Sequence, residues 1–354
     1  MKRLGLWLCI CGLLLSTTAC TTEFPEEHYY EQALTAIEKG DFLNAYNLLS
    51  AYVAVCDNLD AVETLEKLVF VPVLAEETRP DSHQLNTFRY DGKGKLLQVD
   101  GNVGEQQRTL REYTYDNKGR LVLVKSGDGT VTTYTYDQKG NRATMQIDIA
   151  GYVTQVHYTY DEQGRCLTEK QVDASGSTQK KTYRYDEDGK KTFERTVKFD
   201  NSYEQLSYRY DEDGNKIYQL QENSNGDRYE TTYHYVKNLL TAINNPNGSI
   251  VTYTYDKSGK CLTKKTKSAQ GEVLDTTYTY DKNGNCLSAT NENGKRTYTY
   301  DTYGNKLSET YVDRQNRTFV WRFEWKPFYY PEGLIKEWEA IRSEAIEEHT
   351  AIML

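Results

Sequence analysis

The sequence predicts a mainly β protein: an elongated, twisted antiparallel meander of about ten hairpins, with a small α-helical N-terminal cap and a C-terminal helix. Three observations predict it. An eight-residue pattern, Tyr-x-Tyr-Asp-x-x-Gly-polar, returns down most of the chain. Tyrosine dominates the aromatics, 31 against 9 Phe and 4 Trp, and Tyr favours strands while keeping a polar tip. Only 38% of the residues are hydrophobic and the mean hydropathy is -0.78. A thick globular core is therefore not expected, while so many aromatics argue against disorder.

In chain order, residues 1–20 read as an export leader. Lys2 and Arg3 precede an apolar run over 4–15, and small residues end at Ala19-Cys20. The run is too short for a secure membrane span. Thr17-Thr18-Ala19-Cys20 resembles the bacterial lipoprotein box, in which the Cys becomes lipidated and forms the mature N-terminus; Thr17 departs from the usual Leu. The resemblance implies lipidation at Cys20, a lipid anchor in the membrane and an extracytoplasmic place in the bacterial cell envelope. In a Gram-negative host, Thr21 rather than Asp after Cys20 implies the outer membrane. An ordinary secretory signal is the other reading of the same leader.

Residues 21–81 are expected to form the helical cap. Helical patterns run over 26–39, 42–53 and 59–70, with Tyr30, Ala33, Leu34 and Ile37 on one face and Phe42, Ala45, Tyr46 and Leu49 on another. Gly40 supplies a left-handed stop, and Asp41 is placed to cap the second helix. The stretch 36–45 resembles one tetratricopeptide-type unit, but such arrays need about three units to bury a core, so a small cap on the next domain is the plainer reading. Twelve acidic against three basic residues over 21–80 carry the net charge of the whole chain, -9. The remainder is near neutral without a basic stripe, so nucleic acid is not an expected partner.

Residues 82–326 hold the repeats. The second Tyr of each unit falls at 90, 115, 136, 160, 185, 210, 235, 255, 280 and 300, in steps of 20 to 25. The predicted turn and ladder residues are Tyr113, Tyr115, Asp116 and Gly119, then Tyr134, Tyr136, Asp137 and Gly140, then Tyr158, Tyr160, Asp161 and Gly164. They continue as Tyr183, Tyr185, Asp186 and Gly189, then Tyr208, Tyr210, Asp211 and Gly214, then Tyr253, Tyr255, Asp256 and Gly259. Tyr278, Tyr280, Asp281 and Gly284, and last Tyr298, Tyr300, Asp301 and Gly304, complete the set. Phe88 replaces the first Tyr of the first unit, and Val236 replaces the Asp of the seventh, which also lacks the Gly. Tyr-x-Tyr puts two rings on one face of a strand. The Asp bonds its own backbone two residues on, and the Gly three later supplies positive φ. A second turn rich in Gly, Asn and Asp, such as Asn223-Ser224-Asn225-Gly226, reverses the chain again. Two strands per unit give roughly twenty, and a flat sheet of them would extend roughly 95 Å at the usual strand spacing. Cross-strand Tyr pairs are expected to hold it together.

These units resemble the YD repeats, also called RHS repeats, of bacterial Rhs and toxin-complex proteins and of the animal teneurins, over about residues 88–325. In those families the repeats form a long spiralling β-sheet that closes into a hollow shell in large members. The resemblance implies that ten units are too few for a full shell. No Asp-Pro dipeptide of the Rhs core signature occurs. The glycan binding proposed for such repeats is what the resemblance implies for function. Residues 327–354 are expected to add a helix, with Leu334, Trp338, Ile341 and Ile346 on one side, over an open sheet edge.

Catalytic and metal chemistry find little support. The five His are scattered and no Cys pair has zinc spacing, so no metal or other cofactor is expected. The turns at 186–189 and 211–214 faintly resemble calcium loops, but turn chemistry explains their Asp residues. Cys166, Cys261 and Cys286 take equivalent places in their units, and such positions even two strands apart lie about 9 to 10 Å from each other, beyond disulfide reach. No Ser-His-Asp, Cys-His or paired-carboxylate set can be placed, so the chain is read as non-enzymatic. The expected function is a cell-envelope lipoprotein that presents the repeat sheet to a surface protein or a glycan. The alternatives are an accessory, chaperone-like or immunity component of a polymorphic-toxin system and, last, an envelope hydrolase.

Overall fold

The computed structural model describes residues 26–330 apart from 57 and 104–105. The leader with Cys20 and the helix expected beyond residue 333 lie outside the described residues. Three helices come first: α1 (Glu26–Glu38), α2 (Phe42–Val53) and α3 (Leu59–Glu66). Gly40 stands at φ +74, with its N–H on the Ile37 carbonyl and the Asp41 N–H on that of Ala36, the geometry by which glycine closes a helix. Asp41 itself makes no side-chain cap bond, contrary to the expectation. Its φ of -86 and ψ of 67 lie outside the extended geometry in which a capping side chain reaches the first turn. Asn58 does cap α3, accepting from the Ala61 N–H at 3.0 Å.

Ala33, Ala45, Leu49 and Ala61 are fully buried between the helices, and the small alanines let the helix axes approach closely. Leu34, expected on the buried stripe, is 38% exposed. The stripe runs instead through Tyr29, Tyr30, Ala33, Ala36 and Ile37. No helix among the described residues is long and apolar enough to cross a membrane.

The helical pattern expected to reach residue 70 stops at Glu66, and Leu68–Thr78 form a strand, β1. Val69, Phe70, Val71 and Val73 are β-formers, and Pro72 excludes a helix interior. Pro72 sits where the register with the terminal strand shifts, the kind of place a residue without an N–H can occupy in a sheet. Next come β2 (His83–Tyr90) and β3 (Leu96–Val103). The hairpins of the repeats follow, and the last strand is Thr318–Tyr329.

The expected open, elongated meander is corrected at β1. On one side β1 pairs antiparallel with β2, from Leu74↔Thr87 to Thr78↔His83. On the other it pairs with the terminal strand, from Leu68↔Tyr329 to Thr78↔Val320. β1 and the terminal strand are additional to the ten repeat hairpins, and the 22 strands of the described residues belong to one sheet closed through this pair. Closure removes two rows of unpaired N–H and C=O groups that an open sheet would expose. It also leaves no first or last edge for a C-terminal helix to shield.

The chain divides into two compact units. The first holds the helices, β1 to β3 and the terminal strand, and it carries a conventional core of Leu68, Val71, Ala75, Phe88, Leu96, Val99, Trp321, Phe323 and Phe328. α2 rests on that part of the sheet: Phe42 lies 5.8 Å from Phe328, and Tyr46 lies 5.0 Å edge-on to Phe70 and 5.4 Å edge-on to Tyr303. The second unit, residues 108–279 with 288–295, is built of repeat hairpins. There Tyr113, Leu121, Val156 and Val251 are buried while most other side chains are half-exposed.

Candidate functional site

The motif begins at its turn. In Asp116-Asn117-Lys118-Gly119, the Gly119 N–H donates to the Asp116 carbonyl at 2.9 Å and the Asp116 N–H to the Arg120 carbonyl at 2.9 Å. The carboxylate Oδ1 accepts the N–H groups of Lys118 and Arg120, both at 2.9 Å. Gly119, Gly140, Gly164, Gly189, Gly214, Gly259, Gly284 and Gly304 all have φ between 79 and 94, where a Cβ would be strained. The register slips by one residue beside the second Tyr, at Thr114/Tyr115, Thr135/Tyr136 and Thr159/Tyr160 among others. This is the three-residue hairpin loop with a glycine bulge.

The residue after the Gly is part of the device. Its side chain donates to the second carboxylate oxygen: Arg120 at 2.7 Å, Asn141 at 3.1 Å, Arg165 at 2.6 Å, Asn215 at 3.0 Å, Asn285 at 2.9 Å and Asn305 at 2.9 Å. The Asn141 amide, with the turn N–H groups, holds the Asp137 carboxyl below the usual range against burial, and Asn215 does the same for Asp211. At Asp256 the Ser258 hydroxyl leads and the Lys260 N–H follows. Oδ1 of Asp161, Asp186, Asp281 and Asp301 likewise accepts the N–H of the residue four on, at 2.8 to 2.9 Å. These carboxylates are engaged in turns. Among the described residues no group of three His, Cys, Asp or Glu is placed to share one cation.

The second Tyr of a unit has a job the sequence does not announce. Its hydroxyl donates to the carbonyl two residues after the glycine of the preceding unit. Tyr136 reaches Leu121 at 2.7 Å, Tyr160 reaches Arg142 at 2.8 Å, Tyr185 reaches Cys166 at 2.9 Å, Tyr210 reaches Lys191 at 2.7 Å and Tyr300 reaches Cys286 at 3.0 Å. That carbonyl lies at the glycine bulge, where the ladder is locally disrupted. These units are thus latched to their predecessors by a side chain at a point where the backbone ladder weakens. Trp325 fills the same place with its indole, donating from Nε1 to the Lys306 carbonyl at 2.7 Å. It falls 25 residues after Tyr300, so Phe323-Glu324-Trp325 is a disguised eleventh Tyr-x-Tyr; spacing was the signal that would have revealed it. Tyr90 opens the series on the Pro72 carbonyl at 2.5 Å.

The irregular seventh unit is explained by its turn. Lys237 and Asn238 have φ of 51 and 62, and Val236 pairs Leu239. This is a two-residue hairpin loop with positive φ at both positions, which needs neither the Asp nor the Gly. Tyr255 still latches this unit, reaching the Leu240 carbonyl at 2.6 Å.

The two faces of the repeats differ. On one, the residue between the two Tyr shares a hydroxyl hydrogen bond with the returning strand, as in Thr135–Thr144 at 2.6 Å, Thr159–Thr168 at 2.7 Å, Thr254–Thr263 at 2.6 Å and Thr299–Ser308 at 2.7 Å. That face is exposed. The other carries the half-buried rings with cations over them. Arg120 lies 4.4 Å from the Tyr136 centroid, Arg142 4.6 Å from Tyr134, Arg165 5.0 Å from Tyr185 and Lys216 4.7 Å from Tyr233. Carboxylates join them: Tyr183 donates to Glu169 at 2.8 Å, and Lys191 pairs Glu194 at 2.6 Å. Burial pushes the Tyr160 and Tyr298 hydroxyls up to about 12. Burial, then the bond to Glu169, raises Tyr183 in the same direction.

The remaining sequence candidates stay apart. His83, His157 and His234 lie in separate strands. Cys166, Cys261 and Cys286 form no disulfide among the described residues, and Cys166 and Cys261 donate weakly to the carbonyls of Thr168 and Thr263.

Comparison with known proteins adds the following. Residues 81–269, more than half of the chain, match the teneurin YD-shell family, and residues 280–315 match the RHS repeat. Over 55 residues the chain is 42% identical to the toxin protein Tse5 of Pseudomonas aeruginosa; the match covers 16% of this chain and 4% of that protein. Among solved structures, TcdB2-TccC3-TEV is similar over 67% of this chain and 14% of its own, at 20% identity and a TM-score of 0.40. A porin-like protein from Bacteroides uniformis is similar over 72% of this chain and 98% of its own, at 14% identity and a TM-score of 0.29.

Proposed function

Because this chain belongs to the teneurin YD-shell family, we propose that it is a non-enzymatic protein of the bacterial cell envelope, lipid-anchored through Cys20, whose repeat sheet binds a protein or glycan partner. The observation that carries this reading is how the repeats use their polar groups. The Asp carboxylates are bonded inside turns and the second Tyr hydroxyls on carbonyls. What remains to a partner is the exposed hydroxyl face together with the half-exposed rings, cations and carboxylates of the other face, and Tyr and Arg are residue types enriched at binding interfaces. Half-exposed charges such as Lys191 and Lys216 suit a polar macromolecule better than a lipid.

The anchor is tested first. Cys20→Ser is expected to move the protein from the membrane pellet to the soluble envelope fraction and to abolish incorporation of radiolabelled fatty acid. Unchanged fractionation with unchanged labelling rejects the anchor. The binding face is tested on a glycan array with the purified protein, where saturable binding to one glycan class supports that half of the reading.

A second reading is favoured by the 55-residue match to a toxin protein: an accessory, chaperone-like or immunity component of a toxin system. Co-expression with a candidate toxin separates the two readings, since protection of the cell supports the second and a glycan ligand the first.

A further inference from the structure

The exposed face of the second unit changes character midway. The residue between the two Tyr is Thr at 114, 135, 159 and 254 but Arg at 184 and 209. Five consecutive strands are involved: Tyr152–Tyr160, Cys166–Val172, Thr178–Tyr185, Lys191–Val197 and Tyr203–Tyr210. Their register, with the two-residue alternation of strands, puts three more cations on the same face. Lys170 lies opposite both His157 and Lys180, and Arg195 opposite both Thr182 and Gln205. Lys170, Lys180, Arg184 and Arg209 are exposed. No run of basic residues announces this patch, because each cation alternates with residues of the other face, as Arg184 does between Tyr183 and Tyr185.

The five strands place no carboxylate on this face. Their Glu169, Glu194 and Glu204 alternate to the other face and pair there with Lys181, Lys191 and Lys198. Glu222 of the next strand lies opposite Gln205 but pairs with Arg228 at 3.0 Å. At the turns Asp186 and Asp211 each accept a turn N–H at 2.8 Å, and the exposed Glu187, Glu212 and Asp213 stand beyond the strand ends. Among the described residues none of Lys170, Lys180, Arg184, Arg195 and Arg209 is ion-paired.

The three guanidiniums lie over rings of the same face: Arg184 4.7 Å from the Phe193 centroid, Arg195 4.0 Å from Tyr203 and Arg209 4.0 Å from Tyr218. Stacking holds each planar fork in place, so less freedom is lost when it meets an anionic group. It also covers the rings, which are then not free to stack on nucleic-acid bases. The patch spans about 19 Å across the five strands at the usual spacing, too wide for one small anion. Thr159, Thr168, Thr182 and Ser207 lie among the cations on this face, where the Thr159 and Thr168 hydroxyls share a hydrogen bond at 2.7 Å.

We propose that this face binds a linear acidic polysaccharide, the cations taking its anionic groups and the neighbouring hydroxyls its own hydroxyls. It rests on the glycan half of the reading above and does not need the anchor.

The test uses a fluorescent polygalacturonate oligosaccharide with the full protein, read by anisotropy. Saturable binding is expected, weakening as NaCl rises from about 50 to about 300 mM. Unlabelled polygalacturonate displaces the probe, and dextran, polyglutamate and single-stranded DNA each do so at least about tenfold less well. Arg184→Thr and Arg209→Thr, which restore the residue most other units carry, combined with Lys170→Ser and Lys180→Ser, are expected to weaken binding about tenfold. A control with the same change of charge, Lys257→Ser, Lys264→Ser, Lys265→Ser and Lys267→Ser, is expected to bind as the parent does. Equal affinity in the patch variant, an equal loss in the control, or polyglutamate or DNA competing as well as polygalacturonate overturns the proposal. Binding that does not saturate overturns it too, while a neutral glycan found on the array would keep the broader reading, and a blank array would remove the glycan half of both. If the fourfold variant fails to fold, Lys180→Ser and Arg184→Thr are read singly, each expected to weaken binding about threefold; no loss in either overturns it.

Discussion

Trp321→Ala is expected to lower the stability by about 3 to 5 kcal/mol, the usual cost of emptying a buried aromatic site. Trp321 is 5% exposed and lies in the terminal strand, opposite Glu77 of β1 on one side and Glu309 on the other. Its ring stacks at 6.5 Å on Phe319. Removing it leaves a cavity beside Glu77, which is 3% exposed and paired to Arg79 at 2.7 Å, so the site collapses poorly around a charge that must stay paired. The indole N–H of Trp321 has no partner among the described residues, and its loss recovers only a small part of the cost. Whole domains hold about 5 to 15 kcal/mol, so the variant is expected to unfold several degrees earlier in a thermal melt. Amide exchange should quicken first in Leu68–Thr78 and Thr318–Tyr329. Leu307→Ala, at a side chain 39% exposed, serves as the control, with an expected change within about 0.5 kcal/mol. A Trp321→Ala cost no larger than that control means the two strands do not depend on each other.

The second large effect is alkaline. Burial raises the hydroxyl of Tyr160 and Tyr298 to about 12, and raises Tyr158, Tyr208, Tyr210, Tyr253, Tyr255 and Tyr300 in the same direction. In the unfolded chain these groups ionise near the ordinary value of about 10. Their contribution to stability is therefore complete below about pH 10 and is lost as pH rises through the folded values, because the unfolded chain then gives up protons the folded one keeps. At the second Tyr of a unit, as at Tyr160, Tyr210, Tyr255 and Tyr300, ionisation also puts a negative oxygen against the carbonyl that the hydroxyl had donated to. Because the latch recurs from unit to unit, the losses add, and cooperative unfolding is expected between pH 10 and 12. Tyrosinate absorbance and the strand circular dichroism signal should change together. Gradual ionisation near pH 10 with the sheet intact contradicts the latches.

The repeats themselves were legible because their causes are local. Tyr-x-Tyr fixes a face, Asp and Gly fix a turn, and each needs only neighbours within about eight residues. The limits of that legibility have physical origins. The latch joins residues 14 to 19 apart, and no local pattern says where a hydroxyl will point. Trp325 escaped because indole replaces phenol while keeping the one donor that matters. Asp41 had the right residue type for a cap, but its backbone at φ -86, ψ 67 cannot use it. Leu65 and Leu68 share helical spacing, which carried the helix reading past Glu66 into the valines of β1. Closure was the least accessible, since β1 and its partner strand lie some 240 residues apart in sequence and long-range pairing is decided by register and burial together.

The sheet closes through β1 and the terminal strand. Glu76 and Arg322 are register partners across that pair, and their side chains form a 3.0 Å ion pair on an exposed part of it. Glu76→Cys with Arg322→Cys, all other cysteines replaced by serine, tests the pairing directly, because directly opposed strand residues lie within disulfide reach. Mild oxidation of the monomer is expected to join the two positions in nearly every molecule, read as a cross-linked peptide by mass spectrometry, without loss of strand signal. Two reduced thiols, or cross-links only between separate chains, in a protein whose strand signal is intact would show that the sheet is open.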